Sequence, residues 1–495
     1  MGCDRISLTR SLRFVASVTI LALASAACSA RPQPLPNTDL PDANGIRIRA
    51  ASSGSNDNWP TFAYNYARTG FNPSVTNLTR SSVPKLGLRW KVNLGDEIFS
   101  SPVIYDGNLI VVSEGSKASS QPGSVVYDLS TADGHVIWQY AMGALAQMTP
   151  TIDPDAGLVI VANEERTHRN TNPSHVTALS LLDGSLVWST PVYAPMRAAP
   201  VVAGGSVYFG RAGGDPPGCF QGGVSALNES TGDVEWNWNV DPKPHNGGAV
   251  WGAIAYDGTH LTFGTGNTCN TMTPTANGAV SLDLSGNVVW SMVAVKDSRY
   301  DADTGGGTML FNGRAHFINK NGMLYSLNDE TGHIDWSTVL NPYSEAPTWS
   351  GGFTTPTTDG ATMIEGSGLY KNAAPKDGGG EFCMLAAVRP AEVFSGYHSM
   401  VQGVNLSGRV LWGRTMKNRL VGYVALVPGI GFIGLNQDFV ALNLKNGKTL
   451  WSYATPAYID ASMVVVPSGV YGADDGGNVY AFALQSSNSR RQGNR

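Results

Sequence analysis

A short unit recurs along almost the whole chain, and this repeat limits the possible folds more than any other feature. Each copy has an apolar strand end, a turn that contains glycine, a few further residues and then tryptophan. One copy reads T-A-L-S-L-L-D-G-S-L-V-W and ends at Trp188. Self-similarity at a fixed period indicates a repeat architecture. The tryptophans that end the units are Trp90, Trp138, Trp188, Trp236, Trp290, Trp336, Trp412 and Trp451.

The period of the repeat predicts the blade of a β-propeller. Five of the seven spacings between these tryptophans lie between 46 and 54 residues. Between each tryptophan and the next unit are two further runs that are rich in β-branched residues and broken by D-G or G-G turns. Four short strands in a unit of this length are typical of a propeller blade. The sequence therefore predicts an all-β, eight-bladed propeller.

The two ends of the repeat predict how the ring closes. The unit that ends at Trp90 lacks its first part, and Val479–Leu484 has the beginning of a unit without a tryptophan. Pairing of the N-terminal strand with the C-terminal strands would complete the eighth blade. Closure of this kind leaves no long exposed sheet edge. The repeated tryptophans are interpreted as structural, because a large flat ring between blades buries much apolar area.

The composition agrees with many short strands and excludes several other classes. The chain has 58 glycines among 495 residues, 14% charged residues and a formal net charge of -5. A disordered chain has few aromatic and many charged residues, and a helical protein does not tolerate so much glycine. A dedicated nucleic-acid binder is basic, so no nucleic-acid partner is expected.

The N-terminus has the layout of a bacterial export signal. Arg5, Arg10 and Arg13 precede the apolar stretch Phe14–Ala27, which ends in small residues before Cys28. Such a stretch is too short for a comfortable membrane span and fits a secretory or lipoprotein-type signal. Cleavage with lipid attachment at Cys28 and simple cleavage both remain open. The predicted location is periplasmic or extracellular, with a membrane tether if Cys28 is lipidated.

These observations divide the chain into four parts. Residues 1–28 are predicted to be the signal and residues 29–57 a flexible linker. Residues 58–485 are predicted to form the propeller, and residues 486–495 a disordered tail. The length first suggests three domains, but one unit repeated eight times accounts for it better.

One face of the propeller is predicted to hold any ligand. In an up-and-down blade, the loop after the second strand and the start of the first strand lie on the same face. The loops after Gly210, Gly266 and Asn319 should therefore meet at one mouth of the channel. The long spacing before Trp412 adds a loop from about Gly366 to Ser399 at this mouth, and long loops in compact domains are often functional.

The repeat and its entry segment resemble a known family. The entry segment N-W-P-T-F-A-Y-N-Y-A-R-T-G-F-N-P (Asn58–Pro73) and the eight tryptophan units are similar to the quinoprotein alcohol dehydrogenases. These enzymes use pyrroloquinoline quinone (PQQ) with Ca²⁺, and the resemblance includes their polyvinyl-alcohol dehydrogenase branch. It covers about Trp59 to Leu484. Non-enzymatic outer-membrane assembly lipoproteins share the repeat, so the site residues have to discriminate between the two functions.

The resemblance implies two cofactor-binding residues. Trp251 lies in W-G-A-I-A-Y-D, outside the repeat register, and matches the family's tryptophan on which the flat quinone stacks. Lys320 lies in K-N-G and matches the family's lysine that hydrogen-bonds the quinone oxygens. A cation there would stabilise negative charge on the reduced quinone. The structural alternatives are an additional inter-blade tryptophan and an exposed hairpin lysine.

Two oxygen donors correspond to the family's calcium ligands. Asn267 ends F-G-T-G-N, where the family has an asparagine whose amide oxygen binds Ca²⁺. Asp215 ends G-R-A-G-G-D, where the family has a glutamate, so the carboxylate is one methylene shorter here. Either residue alone is also typical of a turn.

The predicted general base is an aspartate in R-Y-D-A-D-T-G-G-G. This stretch resembles the family's D-x-D-x-G, in which one aspartate takes the proton of the substrate hydroxyl. Asp303 is favoured, with Asp301 as the alternative. The same stretch can also be a plain turn.

Three cysteines lie beyond the predicted signal: Cys219, Cys269 and Cys383. In an oxidising compartment two of them can pair. We predict a disulfide between Cys219 and Cys269, with Cys383 as the competing partner, because the first two lie in neighbouring mouth loops. The chain has neither the adjacent cysteine pair of many family members nor a C-x-x-C-H haem motif. Electrons would therefore leave to a separate acceptor.

Taken together, these residues predict an exported oxidoreductase that uses PQQ and Ca²⁺. Its substrate would be a hydroxyl of a small alcohol, a sugar or a polymer. The competing hypothesis is a non-catalytic propeller lipoprotein that serves as a protein-binding or outer-membrane assembly scaffold. A third is a degenerate quinoprotein that binds a sugar or polymer without turnover.

Overall fold

A computed structural model describes most of the predicted propeller. The described residues are 57–115, 123–143, 145–163, 173–213, 219–269, 271–296, 303–340, 354–369, 398–417 and 422–485. The chain divides into two compact units, residues 1–47 and 48–495, and all described residues belong to the second. The predicted signal and the predicted tail lie outside the described residues.

Eight four-stranded antiparallel sheets and one two-stranded parallel sheet, Thr354–Thr355 with Gly422–Tyr423, build the described part of the chain. Blades 1 to 4 are, in order, Val103–Tyr105, Asn108–Ser113, Val125–Ser130 and Val136–Ala141; Thr151–Asp153, Leu158–Ala162, Ser174–Ser180 and Leu186–Val192; Val201–Ala203, Ser206–Arg211, Gly223–Asn228 and Val234–Asn239; and Ala255–Tyr256, His260–Gly264, Gly278–Asp283 and Val288–Val293. Blades 5 to 8 are Met309–Leu310, Arg314–Ile318, Met323–Asn328 and Ile334–Val339; Thr357–Thr358, Thr362–Leu369, His398–Asn405 and Val410–Lys417; Ala425–Val427, Ile430–Leu435, Asp438–Asn443 and Thr449–Ala454; and Val464–Val466, Gly469–Ala473, Asn478–Leu484 and Leu86–Asn93. The predicted all-β, eight-bladed propeller is confirmed.

Helix is nearly absent from the residues that the structure describes. The one helical element among them is a 3-10 turn, Val83–Lys85, directly before the first strand. No helix in this part of the chain has the length and apolar character that crossing a membrane requires.

The N-terminal strand closes the ring as predicted. Leu86–Asn93 pairs antiparallel with Asn478–Leu484, so that Leu86 is opposite Leu484 and Asn93 is opposite Asn478. The eighth blade thus takes three strands from the C-terminal end of the repeat and its outermost strand from the N-terminal end. Because both ends are tied into one sheet, the ring has no unpaired terminal blade.

Each repeat tryptophan joins its blade to the next one. The eight indole Nε1 atoms donate to backbone carbonyls of the following blade at 2.7–3.2 Å. On seven of the eight rings, the glycine of the following unit packs against the indole: a Cβ at Gly184, for example, would lie 2.4 Å from Cε3 of Trp138. The repeat therefore keeps glycine because this position has a positive φ and is covered by the preceding indole.

The entry segment, residues 58–73, touches all eight blades. Its backbone forms hydrogen bonds with the innermost strands of six blades. For example, Trp59 and Ile104 exchange two backbone hydrogen bonds, of 2.7 and 2.9 Å. Arg68 reaches blades 3 and 4, and Nδ2 of Asn72 donates to the carbonyl of Val465 in blade 8 at 3.0 Å. The segment therefore fills one end of the central channel. The six blade residues whose backbone groups form hydrogen bonds with the entry segment are Ile104, Ile152, Tyr256, Leu310, Thr358 and Leu426.

Blade 6 departs from the sequence prediction in one respect. The loop predicted from about Gly366 to Ser399 is shorter, because its second strand continues to Leu369 and its third begins at His398. These two strands pair along their whole length, which the sequence pattern did not reveal because the segment is rich in glycine. The rest of the insertion lies outside the described residues.

Candidate active site

Loops from three blades meet on the segment 247–252, which precedes the first strand of blade 4. The amide of Val250 donates to the carbonyl of Arg211 in blade 3 at 3.0 Å, and the amide of Gly266 donates to the carbonyl of Ala249 at 2.8 Å. A Cβ at Gly252 would lie 1.9 Å from the carbonyl oxygen of Gly306 in blade 5. The loops that follow the second strands of blades 3 and 4 therefore do gather at one mouth.

Asp303 connects two other predicted site residues at this mouth. Its Oδ1 accepts a hydrogen bond from the backbone N–H of Asn267 at 2.6 Å, and its Oδ2 accepts one from Nζ of Lys320 at 3.0 Å. The backbone N–H of Lys320 also donates to the carbonyl of Asp303 at 3.0 Å. The structure thus brings together Asn267, Asp303 and Lys320 from two neighbouring blades.

This ion pair is buried. The side chains of Lys320 and Asp303 are 5% and 7% exposed. Buried charges lose their hydration, and a buried pair is stable only when hydrogen bonds and the opposite charge compensate this loss. Both are present here. Gly266 leaves room for the carboxylate, since a Cβ there would lie 2.7 Å from Oδ1 of Asp303. Gly266, the second glycine of the F-G-T-G-N motif, is therefore needed for this close approach.

Polar residues that the sequence motifs did not identify hold the two loops. Nδ2 of Asn319 donates to Oγ1 of Thr304 at 3.1 Å, and Oδ1 of Asn319 accepts from the N–H of Asn321 at 2.9 Å. Asn321 in turn donates to the hydroxyl of Tyr325 at 2.8 Å. Asn319 and Thr304 are fully buried, so these bonds fix the Lys320 turn against the Asp303 loop.

Trp251 has a cationic neighbour that sequence analysis missed. The guanidinium carbon of Arg197 lies 5.1 Å from the centroid of the Trp251 indole. Both side chains are partly exposed. Arg197 precedes the first strand of blade 3, and no motif marks it, so only the curvature of the ring places it beside Trp251.

The predicted disulfide is confirmed. Cys219 and Cys269 are bonded, with their Cα atoms 6.1 Å apart, and join the mouth loops of blades 3 and 4. Cys269 follows Asn267 by two residues, so the bond lies beside the site. The competing partner, Cys383, lies outside the described residues.

Arg211, the last residue of the second strand of blade 3, is held by the fourth strand of the same blade. Its guanidinium donates to the carbonyl of Trp238 at 2.8 Å and to Oδ1 of Asn239 at 2.7 Å. Burial lowers the pKa of Arg211 to about 10.

Asp215 and the alternative base Asp301 both lie outside the described residues, so their roles stay predictions. The described residues contain no group of three or more histidine, cysteine, aspartate or glutamate side chains arranged to hold a metal ion.

Comparison with known proteins agrees with the fold. A family model described as outer membrane protein assembly factor BamB matches residues 87–197 and 122–284. The dehydrogenase subunit of a quinone alcohol dehydrogenase from Gluconacetobacter polyoxogenes is 23% identical over 373 residues, which cover 59% of this chain and 48% of that protein. The chain folds as a β-propeller similar to that of the quinoprotein alcohol dehydrogenases.

Two solved structures show the extent of this likeness. The quinohemoprotein alcohol dehydrogenase of Comamonas testosteroni has a TM-score of 0.66 and 17% identity, and the match covers 86% of this propeller chain and 80% of that one. BamB from Moraxella catarrhalis has a TM-score of 0.55 and 14% identity, with coverages of 81% and 98%. At these identities the likeness establishes the fold. The chain spans about half the length of the first curated relative that it matches.

Proposed function

We propose that this propeller is a PQQ-dependent oxidoreductase that oxidises a hydroxyl group at the mouth described above. The observation that carries the proposal is the buried cluster of Asn267, Asp303 and Lys320. A scaffold has no chemical reason to bury an aspartate–lysine pair at the mouth, where the family's cofactor would bind. Relatives named as quinone alcohol dehydrogenases support the same interpretation.

The residues at the mouth fit a planar quinone. Trp251 offers a partly exposed indole, and such a ring is a rigid platform for a flat cofactor. Lys320 supplies an ammonium group in a site of low solvent exposure, where a positive charge acts strongly on a nearby oxyanion. PQQ, when bound, would supply the two-electron acceptor for the hydride of the substrate.

The oxygen donors fit Ca²⁺ in their chemistry. The amide oxygen of Asn267 is a hard ligand of the kind that Ca²⁺ prefers, and the ion takes six to eight such oxygens. The described residues would supply a minority of them. Asp215, which the sequence predicts as a further ligand, and the cofactor itself would have to supply others.

Asp303 is the proposed base. Its carboxylate would accept the proton of the substrate hydroxyl, while the ammonium of Lys320 compensates the charge at the site. Because only 7% of the Asp303 side chain is exposed, a substrate has to present a slender hydroxyl-bearing end. We therefore propose a primary alcohol, a sugar or the end of a polymer as substrate, in the periplasm or outside the cell, with a separate electron acceptor.

Dye reduction tests this proposal. Purified protein is loaded with PQQ and Ca²⁺, and reduction of an artificial electron acceptor is measured over a panel of alcohols. We expect turnover that falls at least about 100-fold in Asp303→Asn, a typical contribution of a general base. Asp335→Asn is the matched control, because Asp335 pairs with Arg314 away from the mouth. Equal activity of both variants would show that the base is wrongly assigned.

A second candidate function is a protein-binding scaffold. The family model described as outer membrane protein assembly factor BamB and the fold of the BamB structure favour it. A scaffold predicts no binding of PQQ by calorimetry, with or without Ca²⁺. Binding without turnover would instead favour a degenerate quinoprotein.

A further inference from the structure

The junction between blades 5 and 6 contains two buried polar side chains that have no role in the proposed function. His316 lies in the second strand of blade 5 and Ser326 in the third, and they are directly opposite each other in the sheet. Side chains at opposite positions of antiparallel strands project from the same face, with Cβ atoms about 4.5–5.5 Å apart. The next residue in this row is Trp336, whose indole donates to the carbonyl of Leu406 in blade 6 at 3.1 Å. His316 and Ser326 therefore lie on the face of blade 5 that packs on blade 6.

Neither polar group of this pair has a hydrogen-bond partner among the described residues. Nδ1 of His316 and Oγ of Ser326 are both enclosed and unbonded there. The two side chains are 1% and 0% exposed, so bulk water does not satisfy them. Buried polar groups in folded proteins nearly always bond to protein or to ordered water. The pair therefore calls for a small partner that can enter the junction.

Blade 4 carries an equivalent pair that needs no such partner. Thr262 and Ser281 are opposite each other, and Ser281 is opposite the repeat tryptophan Trp290, as Ser326 is opposite Trp336. Oγ1 of Thr262 donates directly to Oγ of Ser281 at 3.2 Å, and both residues are fully buried. In blade 5 an imidazole takes the place of the threonine and stacks on the Trp336 ring at a centroid distance of 5.8 Å. The stacking orients the imidazole, and the direct bond of blade 4 is not made.

The chemistry of the pair favours a neutral partner that both donates and accepts. Burial, together with the nearby charge of Arg314, lowers the pKa of His316 to about 3, against an opposing effect of Asp335. The ring is therefore neutral, with one N–H and one lone pair, and the hydroxyl of Ser326 can donate or accept. A cation would remain without a compensating charge here, whereas water fits either tautomer of the ring.

We infer that a buried water molecule bridges Nδ1 of His316 and Oγ of Ser326 in the junction between blades 5 and 6. Buried waters make two to four hydrogen bonds to groups that are otherwise unsatisfied, and this pair supplies two. A surface groove of about 520 Å³ gives the water a route, because Trp336, which stacks on His316, also lines that groove. The other lining residues are Arg314 and the turns 360–361 and 405–407. The water replaces the direct bond between side chains that blade 4 has.

A crystal structure of the full purified chain, at a resolution that shows ordered water, tests the inference. We expect a water within about 3.2 Å of both Nδ1 of His316 and Oγ of Ser326, and a direct contact without water between Thr262 and Ser281. Crystals of Ser326→Ala should show this water weakened or lost. A direct bond between Nδ1 and Oγ in the wild type, or a contact without water, would overturn the inference. Unchanged water density in Ser326→Ala would also overturn it, since other groups would then hold the water.

Thermal unfolding gives a second readout that does not depend on crystals. Ser326→Ala leaves the imidazole and the water with one partner fewer, so the Tm should fall by roughly 2–4 °C. Combining it with His316→Phe removes both polar groups and keeps an aromatic ring on Trp336, so part of the loss should be recovered. Ser230→Ala at an exposed position is the control and should leave the Tm unchanged. A Tm of Ser326→Ala equal to that of the wild type would contradict a bond to this hydroxyl.

Discussion

Nε of Arg68 donates to the carbonyl of Ile254 at 2.7 Å, and this bond ties the entry segment to the blade that carries Trp251. The same guanidinium donates to Oγ1 of Thr61 at 2.8 Å and to the carbonyl of Pro200 at 3.2 Å. Arg68 is fully buried, and burial lowers its pKa to about 10. One side chain thus satisfies carbonyls of blades 3 and 4 at the closed end of the channel.

Arg68→Lys should destabilise the propeller. A lysine keeps a charge but cannot reach these acceptors together, so buried carbonyls lose their donors at about 1–3 kcal/mol each. Calorimetric unfolding should show a clearly lower Tm, whereas Arg409→Lys at an exposed position should leave it unchanged. An unaltered Tm for Arg68→Lys would mean that the entry segment is not held by this residue.

Gly184→Ala tests the packing of glycine on tryptophan between blades. Gly184 has φ +70° and its Cβ would lie 2.4 Å from Trp138, whereas Gly157 has φ +67° and no atom within 4 Å of its Cβ position. Both substitutions carry the left-handed backbone strain, and only Gly184→Ala adds a clash. We expect an additional loss of about 1–3 kcal/mol for Gly184→Ala, the range of overpacking, in denaturant unfolding. Equal losses would show that φ alone requires glycine here.

A double-mutant cycle tests the ion pair of Asp303 and Lys320. Lys320→Met leaves a buried carboxylate without its cation and should cost about 3–5 kcal/mol. Adding Asp303→Asn removes the charge, so the double variant should be more stable than Lys320→Met alone. Thermal unfolding of the four proteins gives the coupling. Additive effects would contradict a direct interaction.

Glu365 predicts a pH dependence of stability. It is buried in the second strand of blade 6, where Oγ1 of Thr354 donates to it, and burial raises its pKa well above the usual value of 4.5. Its Oε2 and Oε1 of the opposite residue Gln402 have no hydrogen-bond partner among the described residues. The folded protein therefore retains a proton on Glu365 that the unfolded chain releases.

The free energy of unfolding should consequently fall as the pH rises above about 4.5 towards the raised pKa. Glu365→Gln removes this contribution, so the variant should gain stability relative to the wild type at pH 8 and show a flatter pH dependence. Unfolding midpoints between pH 4.5 and 8.5 measure the slope, with Glu330→Gln at an exposed position as control. A slope that persists in Glu365→Gln would assign it to another group.

Sequence periodicity predicted the blades because each unit repeats the same local chemistry. Trp188, Gly184 and their equivalents form the turns and the indole contacts between blades. Because these recur along the chain, the repeated copies support the same prediction of a propeller. The Cys219–Cys269 bond was also predictable, since its loops follow the second strands of neighbouring blades. Blade 6 was harder to predict. The glycine-rich end of its second strand, which reaches Leu369, shows no alternation of apolar and polar residues, so the predicted loop began too early.

The sequence by itself determined the number of blades, the closure of the ring and the motifs that point to the mouth, because these depend on patterns within a unit. Tertiary structure decided which residues meet there. Lys320 pairs with Asp303 because two mouth loops converge, and Arg197 covers Trp251 because blade 3 curves towards blade 4. Contacts between units depend on the curvature of the ring, which no local pattern encodes.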